Sequence, residues 1–84
     1  MLTEFASAKP IVGLKQSKKA VTCGLAQKAF IAGNADPDIT EAFALVCEEN
    51  KVPVVYADSM EELGRACGIN VGAAVAVLLN KHIL

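Results

Sequence analysis

Apolar runs of strand length alternate with helix-like patterns along this chain of 84 residues. Four runs are predicted as strands, over residues 11–14, 28–32, 52–57 and 73–79. Each run is almost continuously apolar, which is typical of strands that are buried on both faces. The alternation therefore predicts an α/β fold in which helices cover both sides of a sheet. With 54% hydrophobic residues, the chain is expected to form a single domain over residues 1–84.

A long central helix is predicted from its start signal and its periodicity. Asp36 followed by Pro37 is typical of an N-cap and a first helical residue, and the helix should end near Asn50. Its apolar residues recur at helical spacing and are Ile39, Ala42, Phe43, Val46 and Cys47.

Two shorter helices have weaker signals. Ser59 with Glu62 three positions later forms a capping box, which predicts a helix over residues 60–66. Thr3 is expected to cap a helix over residues 3–8, close to the start of the chain.

The turn after the first strand carries Gly13 and leads into a helix predicted from Lys15 to residue 22 or 23, before Gly24. At about 100° per residue, polar and basic side chains share one stripe of this helix. They are Lys15, Lys18, Lys19 and Thr22. The first turn of a helix exposes unpaired N–H groups and the positive end of the dipole, which suits a phosphate. Lysines at this end are unfavourable for helix stability, so they indicate a function rather than a structural need.

The charges are segregated along the chain. Residues 1–35 hold five lysines and one acid, whereas residues 36–84 hold eight acids and three bases. A basic segment in a mildly acidic protein suggests a patch that faces a polyanion. A chance distribution in a short chain is the alternative.

Composition excludes several classes of protein. No apolar run approaches the length of about 18 residues that a membrane span requires, and the first residues do not resemble a signal peptide. The chain is therefore expected in the cytoplasm, without a membrane partner. Three cysteines without a C-x-x-C pair argue against a disulfide framework and a zinc site.

The sequence contains no recognisable catalytic constellation. His82, the only histidine, is one of the last three residues, and Glu61 and Glu62 are helix neighbours that do not face each other. Cys47 and Cys67 lie on apolar stripes and are predicted as core residues. We therefore expect neither an enzyme nor a cofactor, and a thiol enzyme using Cys23 is the weakest of the alternatives.

A glycine-bounded loop before the last strand carries two apolar residues. Ile69 and Val71 flank Asn70 there, with no helix or strand to join. They either fill the edge of the core or form a platform for an unstacked RNA base.

Three blocks in this order resemble the kink-turn RNA-binding ribosomal protein superfamily, and most of all its short bacterial YbxF-like branch. The blocks are Gly13-x-x-Gln16-x-x-Lys19, the stretch from Ile31 to Pro37, and the stretch from Leu63 to Ala74. The resemblance implies a three-layer α/β/α sandwich with a four-stranded mixed sheet. It also implies recognition of the sheared G·A pairs and bulged nucleotides of a kinked RNA.

The family signature Gly-x-Asn-Glu-x-x-Lys is matched at Gly13 and Lys19. Lys15 stands at the Asn position and Gln16 at the Glu position, a variant that resembles the bacterial branch. The loop of residues 69–73 matches the one that packs on extruded nucleotides in the family, with Gly72 where archaeal members usually have proline.

Together, the residues and the resemblance predict a non-enzymatic RNA-binding module that acts as a monomer on ribosomal RNA, a riboswitch or another structured RNA, without DNA as a ligand. The predicted RNA-binding residues are Gly13, Lys15, Gln16, Lys18, Lys19, Lys28, Gly33, Asn34, Ile69, Asn70, Val71, Gly72 and Ala73. The lysines are expected to engage the backbone, Gln16 to read base edges, and the apolar loop to support an unstacked base. A domain of the same fold that binds a ribosomal or regulatory protein instead is the alternative.

Overall fold

The computed structural model describes residues 10–80, in which four strands and three helices alternate. They are β1 (Ile11–Val12), α1 (Leu14–Thr22), β2 (Ala26–Ala32), α2 (Pro37–Glu49), β3 (Val54–Ala57), α3 (Met60–Ala66) and β4 (Val75–Leu79). The predicted α/β class is confirmed, and the helix predicted over residues 3–8 lies outside the described residues.

The four strands form one mixed sheet in the order β1-β4-β2-β3. Strand β4 is antiparallel to both of its neighbours, and β2 is parallel to β3. The four residues from Val75 to Leu78 are buried, as expected for a strand that lies inside the sheet. The four-stranded mixed sheet implied by the resemblance is thus confirmed.

Alternate residues of the inner strands pack against different helices. On one face, Ala29 and Ile31 join the cluster that contains Phe43 and Cys47 of α2. On the other face, the neighbouring residues of β2 and β4 pack against Leu63 of α3. Because successive side chains of a strand point to opposite faces, one sheet supports two cores and the protein has three layers.

The helix caps follow the local sequence. The Asp36 side chain accepts a hydrogen bond from the Asp38 N–H over 2.9 Å, and Ser59 Oγ accepts one from the Glu62 N–H over 3.1 Å. The reciprocal bond of the capping box differs from its usual form, because Glu62 Oε1 accepts from the N–H of Asp58 at 3.0 Å.

Two predicted strands were too long at their starts. Val52 does not belong to β3, because its N–H donates to the Cys47 carbonyl over 2.9 Å and closes the end of α2. Residues 73 and 74 precede β4, since the Ala73 N–H donates to the Met60 carbonyl of α3 over 3.0 Å.

Two further boundaries and one core position also differ from prediction. The first strand ends at Val12 rather than at Leu14, because Gly13 turns the chain and Leu14 already belongs to α1. Strand β2 begins at Ala26 rather than at residue 28, with a bulge after its pairing to Leu79. Ala42 is exposed, because the buried side of α2 is centred on Phe43 and Cys47.

Candidate nucleic-acid interface

Hydrogen bonds bring the start of α1 and the segment before β4 to one end of the sheet. The Gly13 N–H donates to the Val75 carbonyl over 3.1 Å, and the Ala32 N–H donates to the Ala74 carbonyl over 2.8 Å. The end of β1, the end of β2 and the start of β4 therefore meet. The turn that follows β2 lies at the same end.

The first turn of α1 is open to a ligand. Gly13 occupies the N-cap position with φ 101° and makes no side-chain cap, and the first turn contains no acidic residue. Beneath it, buried Ser17 donates from Oγ to the Ile11 carbonyl over 3.3 Å, which holds the helix against β1. Within residues 10–80, no carboxylate of the first turn compensates the N–H groups and the dipole of this helix end.

The polar stripe of α1 faces outward, as predicted. Ser17, Ala20 and Val21 are buried on the opposite side, facing the sheet and α2. The exposed residues are Lys15, Gln16, Lys18, Lys19 and Thr22. A row of cations with one amide therefore borders the open helix end.

The turn at Gly33 and Asn34 is tied to the neighbouring elements. The Gly33 N–H donates to the Ala57 carbonyl over 2.8 Å, and a β-carbon on Gly33 would lie 3.2 Å from that oxygen. The side chain of Asn34 turns toward α3, where its Oδ1 accepts from the Met60 N–H over 2.8 Å. Asn34 thus makes protein contacts that the sequence did not predict.

Glu61 adds a negative charge beside this turn. Its own backbone N–H and the Asn34 side chain donate hydrogen bonds to the carboxylate, with smaller effects from Ser59 and the Arg65 charge, and they lower the pKa of Glu61. The group is fully exposed, so it remains ionised at neutral pH.

The loop of residues 69–73 lies along α3. The Ile69 N–H donates to the Gly64 carbonyl over 3.1 Å, and the Ala73 N–H donates to the Met60 carbonyl over 3.0 Å. Gly64 is buried, and a β-carbon there would overlap the Val71 carbonyl oxygen. The loop is therefore held by α3 at both of its ends and in close contact at its middle.

The two apolar residues of this loop have different environments. Ile69 is half-buried and packs against the core cluster under α3, whereas 70% of Val71 is exposed. Asn70 is also exposed. A cleft of about 330 Å³ separates the tip of this loop from Glu61 and Arg65. Ile69 therefore fills the edge of the core, whereas Val71 has the exposure that a platform for a base requires.

Lys28 is not brought together with the other predicted residues. It lies in β2 beside Leu78, four residues before Ala32, which places it about 13 Å from the end of the sheet where the loops meet.

Sequence reasoning missed four residues that shape the site, namely Ser17, Met60, Glu61 and Gly64. The only signal in the sequence was the glycine inside the short helix α3. Glycine weakens a helix, so its presence there indicates that another part of the chain packs closely against it.

The cysteines of the described residues differ in their exposure. Cys23 is exposed, Cys67 is half-buried, and burial raises the pKa of the Cys47 thiol to about 11. Within residues 10–80, no three His, Cys, Asp or Glu side chains are grouped to hold a metal ion. No helix in that range is long and apolar enough to cross a bilayer.

The fold and the loop-lined end of the sheet are those of a ribosomal-protein-like α/β/α domain. The sequence matches the model of the ribosomal protein L7Ae/L30e/S12e/Gadd45 family over residues 6–82, so the chain belongs to this family. The resemblance inferred from the three sequence blocks is confirmed.

Bacterial relatives of similar length share much of the sequence. An RNA-binding protein of Caldanaerobacter subterraneus subsp. tengcongensis is 45% identical over 76 residues, which cover 89% of this chain and 92% of the relative. The RNA-binding protein YbxF of Geobacillus stearothermophilus is 40% identical over 73 residues, covering 87% and 89% of the two chains. The names of these relatives describe RNA-binding proteins and not enzymes.

Solved structures agree with the architecture. The Giardia lamblia 15.5kD RNA binding protein superposes with a TM-score of 0.83 at 35% identity, covering 98% of this chain and 70% of the other. A protein of unknown function from Bacillus halodurans gives a TM-score of 0.79 at 22% identity over 88% of this chain and 74% of that one, which is a likeness of fold alone.

Proposed function

We propose that this chain is a non-enzymatic RNA-binding protein that recognises kink-turn RNA. The observation that carries the proposal is the meeting of two surfaces at one end of the sheet. One is the open start of α1 with its exposed cations and Gln16, and the other is the loop that exposes Val71. A kinked RNA offers both a close approach of phosphates and an unstacked base.

The α1 side chains divide into positioning and reading groups. Lysine has only donors, so Lys15, Lys18 and Lys19 suit phosphate oxygens or the O6 and N7 acceptors of guanine. Gln16 both donates and accepts, which suits the edges of sheared G·A pairs. The absence of acids from the first turn leaves its N–H groups for phosphates.

The loop of residues 69–73 supplies the apolar part of the interface. Val71 is 70% exposed, although its backbone is held against Gly64. An exposed apolar side chain on a fixed backbone is suited to contact the face of a base that has left its stack. Asn70, exposed beside it, can hydrogen-bond a base edge or a ribose hydroxyl.

The names of the relatives support the RNA class, and the resemblance supports the kink-turn. Ribosomal RNA and riboswitches both contain structured RNA of this kind, so either is a suitable target. A monomer in the cytoplasm is sufficient for such a role.

Titration of a standard kink-turn RNA, alongside a copy with its G·A pairs replaced, tests the proposal at two salt concentrations. We expect the intact kink-turn to bind at least tenfold more tightly, with a preference that survives added salt, because base contacts depend less on counterions than phosphate contacts do. If the two RNAs bind equally and salt abolishes the binding of both, α1 acts only as a cationic patch. A protein partner bound through the exposed loop would then be the better assignment.

A further inference from the structure

We infer that Asn34 is a positioning residue, which fixes the start of α3 and, through it, the loop that meets RNA. This inference rests on the proposed function, since the loop of residues 69–73 is there assigned to an unstacked base. It gives Asn34 a role different from the direct RNA contact predicted from the sequence.

The Asn34 side chain is already engaged within the protein. Its Oδ1 accepts from the Met60 N–H over 2.8 Å, across 26 residues of sequence. Its amide group is also a donor toward the carboxylate of Glu61 and helps to lower the pKa of that group. A bidentate contact of Asn34 with a base edge would compete with these contacts, and loss of the Oδ1 bond would leave the first N–H of α3 without its partner.

Met60 connects Asn34 to the loop of residues 69–73. Its N–H is held by Asn34, and its carbonyl accepts from the Ala73 N–H over 3.0 Å. A β-carbon on Gly72 would lie 3.1 Å from the Met60 β-carbon, so the loop backbone also packs directly on this residue. A shift of Met60 must therefore move the segment that carries Gly72 and Ala73.

The residues on either side of Asn34 are bonded to the ends of the strands. The preceding residue, Gly33, donates from its N–H to the Ala57 carbonyl over 2.8 Å, and the Ala35 N–H donates to the Ala32 carbonyl over 3.2 Å. The turn after β2 is thus held in place by the sheet. It in turn holds the first residue of α3, a helix of only seven residues. Preorganisation of a binding loop reduces the ordering cost of binding.

Three variants and one matched control test the inference. Asn34→Ala removes both side-chain bonds, and Asn34→Asp keeps only the acceptor for the Met60 N–H. Asn34→Asp combined with Glu61→Gln keeps the acceptor for the Met60 N–H and restores the contact between the two side chains with donor and acceptor exchanged. Asn50→Ala is the control, because it also removes a side-chain hydrogen bond of an asparagine. Asn50 Nδ2 donates to the Val46 carbonyl over 2.8 Å, at the end of α2 that is opposite the Asp36 cap.

Two readouts are needed, one of them without RNA. Amide hydrogen exchange and chemical shifts report the Ala73 N–H and its neighbours in the free protein, and titration reports the affinity for a kink-turn and for a plain duplex. We expect Asn34→Ala to speed exchange at Ala73 and to weaken kink-turn binding about tenfold, with duplex binding unchanged. The exchanged pair should recover both values, whereas Asn50→Ala should change neither.

A loss of kink-turn affinity in Asn34→Ala without any change at Ala73 would show a direct RNA contact and overturn the inference, as would unchanged values of both. If Asn34→Ala fails to fold, the exchanged pair decides, since it must match the parent protein in both readouts. If the parent protein shows no preference for the kink-turn, the proposed function fails, and the exchange measurement still decides whether Asn34 positions the loop.

Discussion

The carbonyl oxygen of Val71 lies so close to Gly64 that a β-carbon on Gly64 would overlap it. Gly64 is buried within α3, so the loop of residues 69–73 approaches the helix backbone without a side chain between them. This contact sets the distance between the helix and the exposed Val71 side chain. A buried glycine thus determines where the exposed Val71 side chain lies.

Gly64→Ala should therefore destabilise the protein. Replacing glycine by alanine in an ordinary helix interior stabilises it by up to about 1 kcal/mol. Here the new methyl group must displace the loop backbone, and overpacking of this kind costs about 1–3 kcal/mol. Urea unfolding of the variant measures the free energy of unfolding. Loop amide shifts should change at the same time.

Ala42→Gly is the matched control, because Ala42 is an exposed residue of α2. It should cost about 1 kcal/mol from helix propensity alone. If Gly64→Ala were instead stabilising, the loop would have to be free to move away from α3.

Gly13→Ala should also lower stability, for a different reason. Among residues 10–80, no atom lies within 4 Å of a β-carbon built on Gly13, so these residues produce no clash. The residue has φ 101° and ψ 151°, a conformation that is almost restricted to glycine. Backbone strain of about 1–3 kcal/mol is expected in the free energy of unfolding.

Lys18→Ala, an exposed substitution in the same helix, should stay within about 0.5 kcal/mol of the parent protein. A Gly13→Ala protein as stable as this control would mean that the turn can relax into another conformation.

The parts of the fold that were predicted correctly depend on local chemistry. Asp36 and Ser59 cap helices because each side chain reaches an N–H two or three residues ahead. The layers follow from almost continuously apolar runs that alternate with helix-like patterns, and these runs can be recognised without knowledge of their packing partners. The exposed stripe of α1 was also predicted correctly, because helical geometry alone determines which side chains share a face.

The parts that were missed depend on contacts between distant residues. Asn34 bonds Met60 across 26 positions, and nothing near Asn34 in the sequence indicates that partner. Val52 resembles a strand residue but completes the end of α2, since its N–H is taken by the Cys47 carbonyl. Ile69 and Val71 have the same local pattern, and only the packing of α3 separates the buried residue from the exposed one.

The buried Cys47 thiol should make stability fall at alkaline pH. Burial raises the pKa of Cys47 to about 11, above its ordinary value. The unfolded chain then loses the thiol proton at a lower pH than the folded chain does. As pH rises through the interval between the two values, the unfolded state binds fewer protons, so the free energy of unfolding decreases.

Urea unfolding between pH 8 and pH 11 measures this decrease, and Cys47→Ala provides the comparison. The variant should be less stable at pH 8, because a buried side chain is truncated. Its slope over the alkaline range should be shallower than that of the parent protein. Parallel curves would assign the alkaline loss to other groups.

Under the proposed function, in which Gln16 reads base edges and Lys18 contacts phosphate, the two residues should affect RNA binding in different ways, although both are exposed on α1. Gln16→Ala should cost about 1–3 kcal/mol in binding to a kink-turn and almost nothing with a plain duplex, because it removes contacts to base edges. Lys18→Ala should weaken both RNAs alike and reduce the salt dependence by about one unit, because it removes a phosphate contact. Titrations of both RNAs over a salt series separate the two roles. Neither change should unfold the protein, since alanine is the best helix former. Equal losses on both RNAs for Gln16→Ala would leave no reading role for the amide.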